Sequence, residues 1–190
     1  MQIPLTKGYY ASVDDVDYEA LRAVGRWSYS SSGYAVHYSK DVWGNYHTLY
    51  MHRIVMDRVL GHPVGNLQVD HISSLEMGIA ARRDNRRQNL RLATRSQNQA
   101  HKGKARNNTS HFKGVTLNGK KWEARICFAG QRIHLGNFSD PVIAAQMYDA
   151  ASTRLNKEFA GLNFPEEITP PYIDEMLDSI LEHCGFYAIL

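Results

Sequence analysis

The side chains best suited to hydrolytic chemistry lie in residues 69–101. A short apolar run ends in Asp70 and His71, and Asn89 and Asn98 follow after a strongly basic segment. A hard divalent cation prefers oxygen ligands, so Asp70 and the side-chain carbonyl of Asn98 are candidate metal ligands. His71 is a candidate general base for an attacking water, and the carbonyl of Asn89 is a candidate acceptor that fixes the imidazole tautomer. Together these residue types favour metal-assisted cleavage of a phosphodiester.

Each of these residues also has a commoner structural role. An Asp-His pair after an apolar run is typical of a capped strand end, and asparagines are typical of turns and helix caps. Only their joint order favours chemistry over these roles. His52 differs, because the apolar residues that follow it indicate the start of a buried helix, and we interpret it as structural.

The charge pattern around the motif favours a polyanionic partner. The net charge is only +3, yet residues 82–106 hold nine Lys and Arg side chains against the single acid Asp84. The predicted phosphate contacts in this segment are Arg86, Arg87, Arg91, Arg95, Lys102 and Lys104. A basic run alone is also typical of a solvated surface. Beside the motif, it predicts nucleic acid, a polyanion, as the partner.

Composition limits the class of protein. The 190 residues allow one domain or two small ones, and no apolar run approaches membrane-spanning length. The first residues lack the layout of a secretory signal, so we expect an intracellular protein without a membrane partner. Cys127 and Cys184 have no Cys-x-x-Cys neighbours, which predicts neither a disulfide framework nor a structural zinc. We expect Cys127, inside a strand-like run, to be buried or half-buried.

Hydrophobic patterns predict an α+β first domain over residues 1–101, with its core in 50–101. Helices are expected at 12–24 and 52–60, and strands in a hairpin at 27–38 and again at 46–51. We interpret the aromatic side chains of this region as the core of a small sheet, and a base-stacking surface is the alternative. Turn formers without apolar periodicity predict a basic linker at 102–111.

A three-stranded sheet packed on one helix is predicted for residues 112–165. Asn-Gly and Ala-Gly turns separate alternating runs at 112–117, 121–128 and 131–138, which indicates antiparallel strands. An Asp-Pro pair then opens a helix ending near Asn156, whose small residues allow close packing on the sheet.

The last segment, 166–190, is an acidic tail without Lys or Arg. Apolar spacing in 172–183 predicts an amphipathic helix. Packing on the protein, self-association and shielding of the basic surface are open alternatives for its role.

Four short runs share their order with a known nuclease family. They are His52-Arg53, Val69-Asp70-His71, residues 84–91 and residues 94–98. This arrangement resembles the HNH endonucleases with the ββα-metal fold, especially the phage and intron-encoded homing type. The resemblance implies that His71 is the general base, that Asn89 orients it, and that Asp70 and Asn98 hold one divalent ion, Mg2+ or else Mn2+. It also implies an endonuclease that acts on double-stranded DNA in the cytoplasm of a bacterial host.

The match has one departure, since loop 73–83 is longer than is usual between the first two motif positions. A non-cleaving, sequence-specific DNA-binding regulator is therefore the alternative function, and a binder of structured RNA is a further one.

The second half carries a separate set of matching runs. They are residues 113–115, 122–126, 132–138, 144–145, 148–151 and 162–165. These runs resemble the Apetala/ethylene-response-factor DNA-binding domain, which lays a three-stranded sheet in the DNA major groove. By position, the resemblance implies DNA contacts from Lys113, Thr116, Arg125, Arg132 and His134. Trp122 is interpreted as a core residue rather than a contact.

Overall fold

The computed structural model describes residues 1–104 and 108–186, and it confirms that the chain is α+β. Contacts divide the chain into two compact units, Met1–Arg95 and Ser96–Leu190. The predicted linker 102–111 and the predicted tail 166–190 each include residues outside the described ones, namely 105–107 and 187–190. None of the helices in the described ranges has the length and apolar character that crossing a bilayer requires.

The first unit contains three small antiparallel sheets joined by short helices. The sheets pair β1 (Gln2–Pro4) with β2 (Tyr10–Ser12), β3 (Ser28–Tyr29) with β4 (Ala35–Lys40) and β5 (Tyr46–Tyr50), and β6 (Gln68–His71) with β7 (Leu90–Ala93). The α-helices are α1 (Asp15–Ala23), α2 (Met51–Leu60) and α3 (Ser74–Met77). Single 3-10 turns lie at Thr6–Gly8, Gly78–Arg83 and Arg87–Asn89.

Apolar side chains from α1, α2 and the strands form the core of this unit. Leu21 on α1 and Val55 on α2 are fully buried, and Trp27 is 2% exposed. The Trp27 indole donates to the Leu21 carbonyl at 2.8 Å, which satisfies its only polar group inside the core. Helix α2 ends where the sequence predicts, because Gly61 adopts a left-handed φ of 74° that a helix C-terminus favours.

The predicted aromatic core of the β3–β4–β5 sheet is only partly correct. Trp27 is buried next to this sheet, but Tyr38, Trp43 and Tyr46 are 56%, 83% and 75% exposed. Every residue of β5, an edge strand of its sheet, is exposed.

The second unit is built on one sheet, with its longest helix packed against one side. Its strands are β8 (Val115–Asn118), β9 (Lys121–Phe128) and β10 (Gln131–Phe138), antiparallel in the order β10-β9-β8. Its helices are α4 (Arg95–His101), which starts at the last residue of the first unit, α5 (Pro141–Asn156) and α6 (Pro171–His183), with a 3-10 turn at Lys157–Phe159. Asp140 caps α5, since its carboxylate accepts from the Val142 amide at 2.8 Å.

The acidic C-terminal helix packs on the protein. Its apolar side chains Ile173, Leu177 and Leu181 are fully buried in the same core as the small residues of α5. Arg154 on α5 pairs with Asp174 and Asp178 of α6 across the same contact. Of the three roles left open by the sequence, the structure thus shows packing within its own unit.

The expectation that Cys127 is at least half-buried is wrong. Strand register places Cys127 opposite Arg132, on the face of the sheet turned away from α5, and its side chain is exposed. Trp122 lies on the other face and packs against the core, as predicted.

Candidate active site

The two short strands β6 and β7 position the first two motif residues. Asp70 lies opposite Arg91, and His71 lies opposite Leu90. Successive side chains alternate across a strand, so Asp70 and His71 leave the strand pair on opposite faces. The Ile72 amide still donates to the Asn89 carbonyl at 2.9 Å, which holds the chain in place immediately after His71.

His71 is enclosed by rings and by one amide side chain. It is 3% exposed, and its ring centroid lies 5.8 Å from Tyr34 and 5.1 Å from His52, which is itself buried at the start of α2. Among the described residues its Nε2 has no hydrogen-bond partner. Burial lowers the pKa of His71 to about 4, against the opposing effects of the Asn85 side chain and the Asp70 carboxylate. The imidazole is therefore neutral at pH 7, which is the form that accepts a proton.

Two asparagines of the motif, Asn85 and Asn89, form hydrogen bonds with the ends of loop 73–83. The side-chain oxygen of Asn89, Oδ1, accepts from the Ser73 amide at 3.0 Å, and the side-chain NH2 group donates to the Asp84 backbone carbonyl at 2.9 Å. Asn85 is 1% exposed, its NH2 group donates to the Arg83 carbonyl, and its side chain raises the pKa of His71. Asn85, rather than the predicted Asn89, thus lies near the imidazole, although Asn85 Oδ1 has no hydrogen-bond partner among the described residues. Asn89 instead ties together the two ends of loop 73–83.

Sequence reasoning missed Asn85 although it lies in the same motif run. Its backbone amide donates to the Ser12 carbonyl at 2.8 Å, which fixes the residue against β2. That contact spans more than seventy residues of sequence, and no local pattern indicates it.

Asp70 is already paired inside the protein. It is 5% exposed, and its Oδ2 accepts from Arg91 Nε at 2.9 Å, with the Arg91 side chain 17% exposed. A buried carboxylate needs such a partner, because desolvation of an uncompensated charge is costly. Arg91, a predicted phosphate contact, therefore neutralises the predicted metal ligand.

Among metal ions, the residues of this site fit only one that needs few protein ligands, such as Mg2+. Within residues 1–104 and 108–186, no group of three or more His, Cys, Asp and Glu side chains is arranged to hold a metal. A single carboxylate suits Mg2+, which usually keeps several waters and binds substrate phosphates besides one or two carboxylates. Asn98, the second predicted ligand, is half-buried on α4 in the second unit.

The long loop 73–83 folds into α3 and the 3-10 turn Gly78–Arg83 and packs beside His71. A Cβ on Gly33 would lie 2.4 Å from Ile79 Cγ2, so Ile79 rests directly on the turn between β3 and β4. The Arg82 guanidinium donates to the Ser32 carbonyl at 2.6 Å and lies 4.9 Å above the Tyr34 ring. Because Tyr34 contacts His71, this loop helps to enclose the imidazole.

The predicted phosphate contacts fall into two groups. Arg86 makes a two-pronged pair with Asp84, at 2.9 and 2.6 Å, and Arg87 makes another with Asp17, at 2.7 and 2.9 Å. With Arg91 bound to Asp70, three predicted contacts are thus paired with carboxylates. The exposed ones are Arg95, Lys102 and Lys104.

Four of the five predicted contacts in the second unit share one sheet face. Register pairs His134 with Arg125, Arg132 with Cys127, and Thr116 with Glu123, all on the face opposite α5. The Glu123 carboxylate also lies on this face, 3.2 Å from His134 Nδ1. The face is therefore mixed in charge, which the count of basic residues did not indicate.

The fifth predicted contact, Lys113, lies elsewhere. Its ammonium donates to the Ala100 carbonyl and lies 5.8 Å above the Tyr148 ring. Burial lowers the pKa of Lys113 to about 8. The structure gives Lys113 a packing position before β8 and does not bring it to the exposed face.

Comparison with protein-family models gives no match, and none of the curated proteins matches the chain. The functional interpretation consequently rests on the residues and their geometry.

Proposed function

We propose that the chain is a metal-dependent DNA endonuclease of the HNH type, with a DNA-binding sheet in its second unit. The observation that carries the proposal is His71, a buried neutral imidazole at the end of β6 with Nε2 unpartnered in the described residues. Leaving a buried polar atom unsatisfied costs free energy, so such an atom calls for an explanation. A proton acceptor for an attacking water provides one.

The chain's residues then take separate roles. His71 accepts the proton of water, and Asn85 steadies the imidazole as it becomes charged, since its side chain favours the protonated ring. Asp70 would hold the cation, and Asn98 is the second ligand that the resemblance to HNH endonucleases implies. When bound, Mg2+ or Mn2+ supplies charge stabilisation at the phosphate and the leaving oxygen. Arg91, next to Asp70, is positioned to bind a phosphate oxygen once the carboxylate serves a cation.

The second unit supplies affinity in this proposal. Arg125 and Arg132 lie on the same sheet face as Thr116 and His134, and some DNA-binding proteins use β-strands to read a groove of DNA. From the resemblance to phage and intron-encoded nucleases, we further propose that the protein acts in the cytoplasm of a bacterial host.

The test is cleavage of supercoiled plasmid in Mg2+ and in Mn2+. We expect His71→Ala to lose at least about 100-fold in rate, the usual contribution of a general base, and Asn98→Ala to need more metal. His62→Ala, at an exposed histidine of the same unit, is the matched control and should cut normally. Duplex binding in EDTA and thermal melting show that each variant is folded. Undiminished cutting by folded His71→Ala rules out the assigned base.

A second candidate is a DNA-binding regulator that does not cut. Two observations favour it, the near-complete burial of His71 and the Asp70–Arg91 ion pair. Duplex binding without cleavage in either metal ion would support this function. Competition by structured RNA at matched salt is the third arm of the same assay, because charge alone does not distinguish RNA from DNA.

A further inference from the structure

One face of the hairpin β4–β5 carries three tyrosines. Strand register pairs Lys40 with Tyr46, Tyr38 with Thr48, and Val36 with Tyr50, so these side chains share a face. Tyr46, Tyr38 and Tyr50 are 75%, 56% and 36% exposed. We call Tyr38, Tyr46 and Tyr50 the tyrosine face.

Ring contacts lead from the tyrosine face to the candidate active site within the same unit. Tyr50 lies 5.8 Å from Tyr34 and 5.4 Å from His52, and Tyr34 and His52 lie 5.8 and 5.1 Å from His71. The tyrosine face and His71 are thus joined by one continuous set of ring contacts.

Cations accompany the rings along this path. Lys40 Nζ lies 4.5 Å above the Tyr46 ring, and the Arg82 guanidinium lies 4.9 Å above the Tyr34 ring. The nearby acid, Asp41, is occupied within the hairpin turn, where it accepts from the Trp43 and Asn45 amides and contacts His47. Flat rings for bases beside cations for phosphates are the combination that single-stranded nucleic acid binds.

Base faces are covered by their neighbours in a paired duplex, so tyrosine rings reach them only where bases are unpaired or extruded. Resting on the proposed nuclease function, we infer that the tyrosine face stacks on unpaired bases beside the scissile phosphate. The substrate class is then DNA with a locally unpaired strand, as in a bubble, fork or flap.

The test measures binding in EDTA by fluorescence anisotropy, with DNAs of equal length that are fully paired, carry an internal bubble, or are single-stranded. The wild-type protein should bind the bubble at least about tenfold more tightly than the paired duplex. Tyr46→Ala should reduce bubble affinity by about 5- to 100-fold, the range measured for loss of one stacked base, and so lower the preference. Tyr46→Phe keeps the ring and should restore it. Tyr172→Ala, at an exposed tyrosine on α6, is the control and should leave the preference unchanged.

Equal affinity of the wild-type protein for bubble and duplex would overturn the inference, as would a Tyr46→Ala loss equal on both DNAs. A wild-type dimer that Tyr46→Ala converts to a monomer would also overturn it, because the face would then be an interface between two copies. Binding is measured without metal, so it tests the tyrosine face separately from the nuclease proposal. If the protein prefers the bubble but does not cut it in Mg2+, the role of the tyrosine face is supported and the nuclease proposal is refuted. If the protein cuts paired DNA but shows no preference for the bubble, the nuclease proposal is supported and the inference about the tyrosine face is refuted.

Discussion

Replacing Asp17 with Asn tests whether α1 holds the candidate active site together. The Asp17 side chain is fully buried, and its carboxylate accepts from Arg87 at 2.7 and 2.9 Å and from Arg58 at 2.9 Å. Asn has the same shape but lacks the charge. The substitution therefore removes two ion pairs without creating a cavity.

The expected cost follows from the burial of the three groups. Breaking a buried ion pair costs about 3–5 kcal/mol when the remaining charge stays buried. Here Arg58 and Arg87 are 39% and 38% exposed and can be hydrated in place, which lowers the cost. We expect a loss of about 2–3 kcal/mol in the free energy of unfolding of the first unit at pH 7.

The same contacts set the pH dependence. Hydrogen bonding to Arg87 is the main reason why the pKa of Asp17 lies below its usual 3.8. A lowered folded-state pKa contributes stability above pH 3.8, and that stability is lost as the pH falls through the lower folded value. The difference between wild type and Asp17→Asn should therefore be full at pH 5–8 and shrink below about pH 4.

Urea unfolding followed by Trp27 fluorescence measures this difference. Trp27 is buried and hydrogen-bonded to Leu21 of α1, so it reports directly on that helix. A background with Trp43→Phe and Trp122→Phe leaves Trp27 as the one tryptophan of the sequence, so the signal comes from the first unit. Asp15→Asn is the matched control on the same helix, since its side chain is 80% exposed, and it should change stability by no more than about 0.5 kcal/mol.

The functional consequence concerns the loop that carries Asn85. Arg87 is tied to α1 through both its side chain and its amide, which donates to Asp14 at 2.7 Å. Releasing the side chain should loosen residues 84–89 around His71 and lower cleavage together with stability. If Asp17→Asn unfolds at the same urea concentration as Asp15→Asn, the ion pairs do not stabilise the unit and the reasoning is refuted.

Two further predictions concern the loop beside His71 and the sheet of the second unit. Gly33→Ala forces a Cβ to within 2.4 Å of Ile79 at a φ of +90°, so we expect a loss of about 1–3 kcal/mol and faster proteolysis within 73–83, and an unchanged digestion pattern would contradict this packing. Arg132→Ala should reduce the slope of log K against log salt for duplex binding by about 1. Lys113→Ala should leave that slope unchanged because its ammonium binds Ala100, and equal reductions in both variants would show that Lys113 does contact phosphate.

Local signals explain why the second unit was predictable in detail. The strands predicted at 121–128 and 131–138 match β9 and β10 at both ends. Alternating apolar residues fix the face of a strand, and Asn-Gly and Ala-Gly turns fix its ends. The start of α5 could also be predicted from the sequence, since Asp140 caps the helix and Pro141 occupies its first turn. Each of these signals acts over a few residues.

Contacts between distant segments were not predictable in the same way. The sequence indicated neither the pair β1–β2 nor the folding of 73–83 into helical turns. It also did not indicate that Asn85, fixed against Ser12, is the amide beside His71. Tertiary packing decides these positions, and a pattern read in short windows contains no information about it.

The basic segment shows how this difference affects function. From the sequence, Arg86, Arg87, Arg91 and Arg95 were all predicted to contact phosphate. In the structure, the first three pair with carboxylates that lie two, seventy and twenty-one positions away in the sequence. An arginine that is paired with a carboxylate neutralises a DNA phosphate, and so releases DNA counterions, only if its ion pair with the carboxylate breaks. The salt dependence of duplex binding should therefore reflect fewer phosphate contacts than the sequence suggests. Since Arg91 pairs with Asp70, the contact it makes with phosphate should appear only when the carboxylate has another cation to bind. Mg2+ also displaces monovalent counterions from DNA, so adding it should flatten the salt dependence of the wild-type protein less than that of Arg91→Ala.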